Sequence, residues 1–376
     1  MKKIVLTLMF GSLVFSASAI KYGTIRKVAV PASEYASHIS GLSRMVPAAD
    51  TTGQITGEVI AYRTLDPRGI PVMASGIVTY PADKPLKGVV MGQHGTIMAD
   101  RQAPSNYYYA AEASQLATYG YMVITPDYIG YGTTVTMPHP YLDVDNTGRV
   151  SVDMLFAVRD MMAQRGVELG DSVTVVGYSQ GAAAALSFQK MAEEQYGDRI
   201  KVKHTYIGGG PYDPMLTFQI LDKLGVAYHP CLVPLSVIGF DYGSDLGLDL
   251  ASVFEGGLKE HYGEWVLNKR FDTSQVDSLI GTTRLDAIVS PALFSGDAAS
   301  ELFADALVNN RLTGWKPQAP LFIFHAKDDT YVPVQNAYAL VKSLEEQGFT
   351  DYVFKEVPGD HITPLFMIDV LNMLGR

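Results

Sequence analysis

The chain has 376 residues, 47% of them hydrophobic and 18% charged, a balance that excludes a disordered polymer and is enough to bury a large core. A net charge of -10 at pH 7 without any basic stripe excludes a nucleic-acid partner. Cys231 is the single cysteine, so intrachain disulfides and cysteine metal sites are excluded too, and a buried, inert thiol is expected there.

In chain order, residues 1–19 come first. Lys2 and Lys3 precede an apolar run over 4–15 and the small-residue pattern Ala17-Ser18-Ala19. This is the layout of a secretory signal peptide, too short for a membrane span, so the mature chain is expected to begin near Ile20 in the periplasm or outside the cell. From Glu58 onward strand-like and helix-like runs alternate. Strands are expected at 76–80 and 88–92, a helix at 107–117, a strand at 121–125 and a helix at 150–164. A strand at 172–177 leads straight into a helix at 180–194, and another strand follows near 202–207. The rhythm then breaks: residues 212–316 are rich in aromatics and leucine without clean alternation, and are read as an inserted, mainly helical cap. It resumes with a strand at 320–325, a helix from Val334, a strand at 352–357 and a helix from Thr363. Such alternation predicts an α/β fold, a mostly parallel sheet with helices on both faces. The insertion would lie over the carboxyl ends of the strands, where open α/β sheets bind ligands.

The junction at 177–181 is Gly-Tyr-Ser-Gln-Gly, with Ser179 between two glycines where a strand gives way to a helix. A serine hydroxyl becomes a nucleophile only when a base takes its proton and a third group orients that base. With a serine on such an elbow the expected chain order is Ser, then Asp or Glu, then His. Of the eight histidines only His361 follows the late strand ending at His325, after which Asp328 and Asp329 stand in a loop. His361 itself lies just beyond the strand at 352–357. Ser179 and His361 are therefore candidate nucleophile and base, with Asp328 or Asp329 as the acid. Glycines at 177 and 181 suit a strained turn packed closely against its helix, and the backbone N–H of Gln180, at the positive end of that helix, would face a developing oxyanion. A second donor is expected from the loop Gln93-His94-Gly95-Thr96 after an earlier strand, through the N–H of Thr96 and its hydroxyl.

These segments resemble the secretory lipases, the fungal lipase A-like members of the α/β-hydrolase superfamily. The likeness runs through Ala61–Asp66, Gln93–Thr96 with Ala103-Pro-Ser105, Asp127–Gly132 with His139–Leu142, the elbow, His325–Pro333 and Asp360-His361. It implies an α/β-hydrolase fold with a cap between the elbow helix and the acid strand. It also implies hydrolysis of acyl esters without metal or organic cofactor, and a register that selects Asp329 as the acid. This chain departs from the disulfide-supported fungal proteins in having one cysteine.

Two further signals are read as structural. Asp143-Val-Asp-Asn-Thr-Gly148 begins like a calcium loop but has Met154 where the closing glutamate would stand, so a turn is expected. Glu193-Glu194 are expected to be solvated surface charges. The sequence thus points to an exported serine carboxylesterase or lipase with Ser179, Asp329 and His361 as triad and Thr96 and Gln180 as oxyanion hole. Its partners would be a small-molecule or lipid acyl ester and a lipid interface met transiently, with no obligate protein partner. Acyl transfer, or cleavage of amides or peptides, is the alternative on the same machinery. A binding protein without turnover is disfavoured because no triad member is missing.

Overall fold

A computed structural model describes residues 22–37, 45–106, 112–294, 296–361 and 363–375; the signal segment lies outside them. Nine strands form one sheet in the order β1-β2-β3-β5-β4-β6-β7-β8-β9. They are β1 (Tyr22–Pro31), β2 (Gln54–Leu65), β3 (Pro71–Pro81), β4 (Gly88–Gln93), β5 (Tyr121–Pro126), β6 (Ser172–Tyr178), β7 (Lys201–Gly208), β8 (Leu321–Ala326) and β9 (Tyr352–Val357). From β5 to β9 all pairings are parallel, whereas β1, β2 and β3 join antiparallel. The helices are α1 (Ala32–Ser37), α2 (Val144–Gln164), α3 (Gln180–Gln195), α4 (Pro214–Leu224), α5 (Leu232–Gly243), α6 (Leu250–Val253), α7 (Leu258–Tyr262), α8 (Thr273–Ile280), α9 (Ala298–Asn309), α10 (Gln335–Glu346) and α11 (Thr363–Leu374).

The parallel strands β4, β5, β6 and β8 read as largely apolar runs because both their faces are covered. Val89 and Met91 of β4, Ile124 of β5 and Val173 and Val175 of β6 pack into one core with α2, α3 and α10. Val90, Val123, Val176 and Tyr178 point the other way, into a core closed by α11. Period-two alternation places neighbours on opposite faces. The segment between β7 and β8 contains α4 to α9 and no sheet strand among the described residues, and builds a third core around Phe218, Phe240, Phe254 and Phe303.

Three local expectations need correction. The helix expected over 107–117 falls partly outside the described residues, and 112–119 is a 3-10 helix rather than an α-helix. The helix expected at 150–164 starts earlier, at Val144. There the Asp143 side chain accepts the Asn146 N–H (2.7 Å), so this aspartate is the N-cap of α2. Glu193 is not a solvated charge: its carboxylate accepts the N–H groups of Gln318 (2.8 Å) and Ala319 (3.0 Å) and fastens α3 to the segment entering β8. Glu194 is exposed, and Cys231 is buried, burial pushing its thiol far up.

Candidate active site

Ser179 joins β6 to α3 with φ 60° and ψ -127°, a conformation costly for a residue with a side chain. Its N–H donates to the Gly208 carbonyl (2.8 Å), which fixes the turn against β7. The flanking glycines are required by close approach. A Cβ on Gly177 would stand 1.9 Å from the Gly181 carbonyl oxygen, and one on Gly181 would stand 2.2 Å from that of Gln93. Gln180 opens α3, so its backbone N–H has no acceptor within the helix and lies at the positive end of the helix dipole.

Asp329 and His361 meet. Asp329 Oδ2 accepts a hydrogen bond from His361 Nδ1 at 2.6 Å, and Oδ1 accepts the N–H groups of Tyr331 (2.9 Å) and Val332 (2.7 Å). His325 Nε2 stands 3.4 Å from the same Oδ2 and donates to the Val332 carbonyl (2.9 Å). Burial works against the Asp329 charge, but the bonds from His325 and His361 prevail and hold its carboxyl down to about 2. Asp328 is exposed and turns toward Gly359, so only Asp329 faces the imidazole. With Nδ1 committed to Asp329, His361 keeps Nε2 for other work.

The ring of His361 lies between Tyr331 (centroids 4.8 Å apart, stacked) and Tyr178 (4.9 Å). It also lies over the end of β7, where a Cβ on Gly209 would come within 3.0 Å of its Cε1. Tyr178 precedes Ser179 and Gly209 follows the carbonyl that anchors it, so the imidazole is beside the elbow. No hydrogen bond joins Ser179 Oγ to the imidazole among the described residues.

Thr96 and Gln180 are each braced by the loop before α2. Thr96 Oγ1 shares a hydrogen bond with the Tyr141 hydroxyl (2.8 Å), which holds the threonine side chain in place. His139 Nδ1 donates to the Ile129 carbonyl (2.7 Å), which makes Nε2 the acceptor for the Gln180 side-chain amide (2.8 Å). Burial depresses His139 to about 3 and His94 to about 4, and the nitrogens of both rings face partners within the protein, so both rings serve as neutral props. Asp127, fully buried, accepts the Ser105 N–H (2.8 Å) and the Ser75 hydroxyl (2.6 Å), tying the segment around Ser105 to β3; burial pushes its carboxyl up to about 6.

The sequence reading quoted His139, Tyr141 and His325 without giving them roles. Their signal was present only as polar residues in segments bordering strand ends. Tyr178 and Tyr331 carried none beyond their position next to Ser179 and Asp329.

A sheet of this order, with a serine on a strained turn at the end of β6, the third strand of its parallel run, and a histidine bonded to a late aspartate, defines the α/β-hydrolase class. Solved structures agree. A Legionella pneumophila protein superposes with TM-score 0.80 at 21% identity, covering 94% of this chain and 98% of its own. The rice cell wall degrading esterase LipA of Xanthomonas oryzae gives 0.79 at 18%, covering 94% and 95%. Candida antarctica lipase A gives 0.66 at 18%, covering 91% and 78%. No protein of curated function matches by sequence. Residues 110–370 match the secretory lipase family, and the chain belongs to that family of ester hydrolases.

Proposed function

We propose that this protein is an exported serine esterase that hydrolyses acyl esters through Ser179, His361 and Asp329, with an acyl-enzyme intermediate. The observation that carries the reading is the 2.6 Å Asp329–His361 bond beside the strained Ser179 turn. In this scheme His361 Nε2 takes the Ser179 proton as Oγ attacks the ester carbonyl, and the N–H groups of Thr96 and Gln180 donate to the oxyanion. Asp329 holds the imidazole in the Nδ1–H tautomer and stabilises the imidazolium. The proton then passes to the departing alkoxide. Water, deprotonated by the same imidazole, attacks the acyl-serine and releases the acid. Export rests on Lys2, Lys3, the apolar run after them and Ala17-Ser18-Ala19, together with the secretory character of the family.

The test is hydrolysis of p-nitrophenyl acyl esters by purified protein. Ser179→Ala is expected to lower kcat at least about a thousandfold. A p-nitrophenyl phosphonate should phosphonylate Ser179 with release of p-nitrophenol, so that a peptide containing Ser179 gains the mass of the phosphonyl group. Equal turnover by wild type and variant, or labelling elsewhere, refutes the proposal.

A further inference from the structure

Two cavities in the segment between β7 and β8 meet at one side chain. The first, about 50 Å³, lies between α4, α5 and the loop after β8. Tyr141 and Tyr331 form part of its wall, and these are the residues that bond Thr96 and stack on His361. It therefore lies one side chain away from Thr96 on one side and from His361 on the other. The second, about 270 Å³, lies between α4 and α9, with Phe294, Phe303 and Leu307 in its wall and the exposed Asp222 and Glu301 marking its solvent side. Among the described residues Phe218 alone lines both. Phe218 is 5% exposed and packs edge-on against Phe303, with ring centroids 5.4 Å apart, so it stands between the two.

Size decides what each side of the partition can hold. An apolar cavity of about 150 Å³ accommodates benzene, so a third of that volume takes an acyl tail of about two carbons beyond the carbonyl. The space behind Phe218 is several times larger. We propose that Phe218 sets the acyl-chain cut-off of the enzyme. With the ring in place the site takes short acyl groups, acetyl to butanoyl; without it the two cavities join into a channel for medium chains. The inference rests on the ester-hydrolase reading and specifies its substrate.

The experiment compares kcat/KM for p-nitrophenyl esters from acetate to decanoate in wild type, Phe218→Ala and Phe218→Leu, with folding checked by circular dichroism. For wild type a fall of about tenfold or more from butanoate to octanoate is expected, the usual scale for misfit in an apolar pocket. In Phe218→Ala the octanoate-to-acetate ratio should rise by about tenfold, and in Phe218→Leu by less. The leucine variant keeps the test open should the alanine variant not fold. A wild type that prefers octanoate, or folded variants with the wild-type ratio, overturns the chain-length proposal while leaving ester hydrolysis standing. A wild type inactive on every ester overturns the hydrolase reading itself.

Discussion

His361 has two ring nitrogens, and Asp329 takes one of them, which in the proposed scheme leaves Nε2 to move the proton. Exchanging the acid for its amide keeps the shape but lets the imidazole settle in the wrong tautomer, so Asp329→Asn should lower kcat by about 10⁴. Asp328→Asn, on an exposed neighbour, should stay within about twofold of wild type. Parallel esterase assays of the two variants decide between the adjacent aspartates; equal loss would remove Asp329 from the scheme. Thr96 is a subtler case. Tyr141→Phe removes only the hydroxyl that steadies it at 2.8 Å, a bond worth about 1 kcal/mol, so kcat should fall about fivefold with KM little changed. The order Ser179, Asp329, His361 was readable because each follows a strand and the parallel strands end together. The props His139, Tyr141 and His325 were not, because a buried polar side chain reveals its role only when its partner, brought from another part of the chain, is known.

Among the elements, the antiparallel strands at the start were the least legible. β1 is largely exposed and carries charges and a terminal proline, so it lacks the apolar run that marked β4, β5, β6 and β8. What ties this edge to the body is Glu58 on β2. Its buried carboxylate accepts both Arg165 amino groups (2.8 and 2.6 Å), the Thr24 hydroxyl (2.6 Å) and the Tyr80 hydroxyl (3.1 Å). Those bonds join β1, β2, β3 and the end of α2. Glu58→Ala should destabilise the fold by about 1 to 2 kcal/mol, measured as a lower urea midpoint, because the Tyr80 and Thr24 hydroxyls lose their acceptor while the exposed Arg165 is rehydrated. A midpoint unchanged within error would mean the cluster is only surface decoration. The elbow was the most legible element, since the glycines at 177 and 181 are demanded by backbone contact and no other residue type can stand there.

At the scale of the whole molecule the buried titratable groups pull in opposite directions with pH. Burial opposes the charges of Glu58 and Asp329, yet their bonds depress both to about 2; their stabilisation is present above the ordinary values of 4.5 and 3.8 and is lost as pH falls toward 2. His94 and His139, held neutral by burial, likewise lose theirs as pH falls below 6.5 toward about 4 and 3. Asp127, Asp143 and Asp153, pushed up to about 6 by burial, contribute most when protonated, and that contribution fades as pH rises through 6. The two sets offset each other between about pH 4 and 6.5, so urea midpoints at pH 6.5 and 5 should be similar and the midpoint at pH 3 much lower. Rising stability down to pH 3 would contradict these assignments. The sequence by itself determined the class of fold and the positions of Ser179, Asp329 and His361 at strand ends, because hydrophobic period and strand-end position are local properties. Only the tertiary structure decided which side chains brace Thr96 and Gln180, how Glu58 is neutralised and that Phe218 stands between two cavities. Those depend on contacts between residues far apart in the chain, which pattern along a strand or helix does not encode.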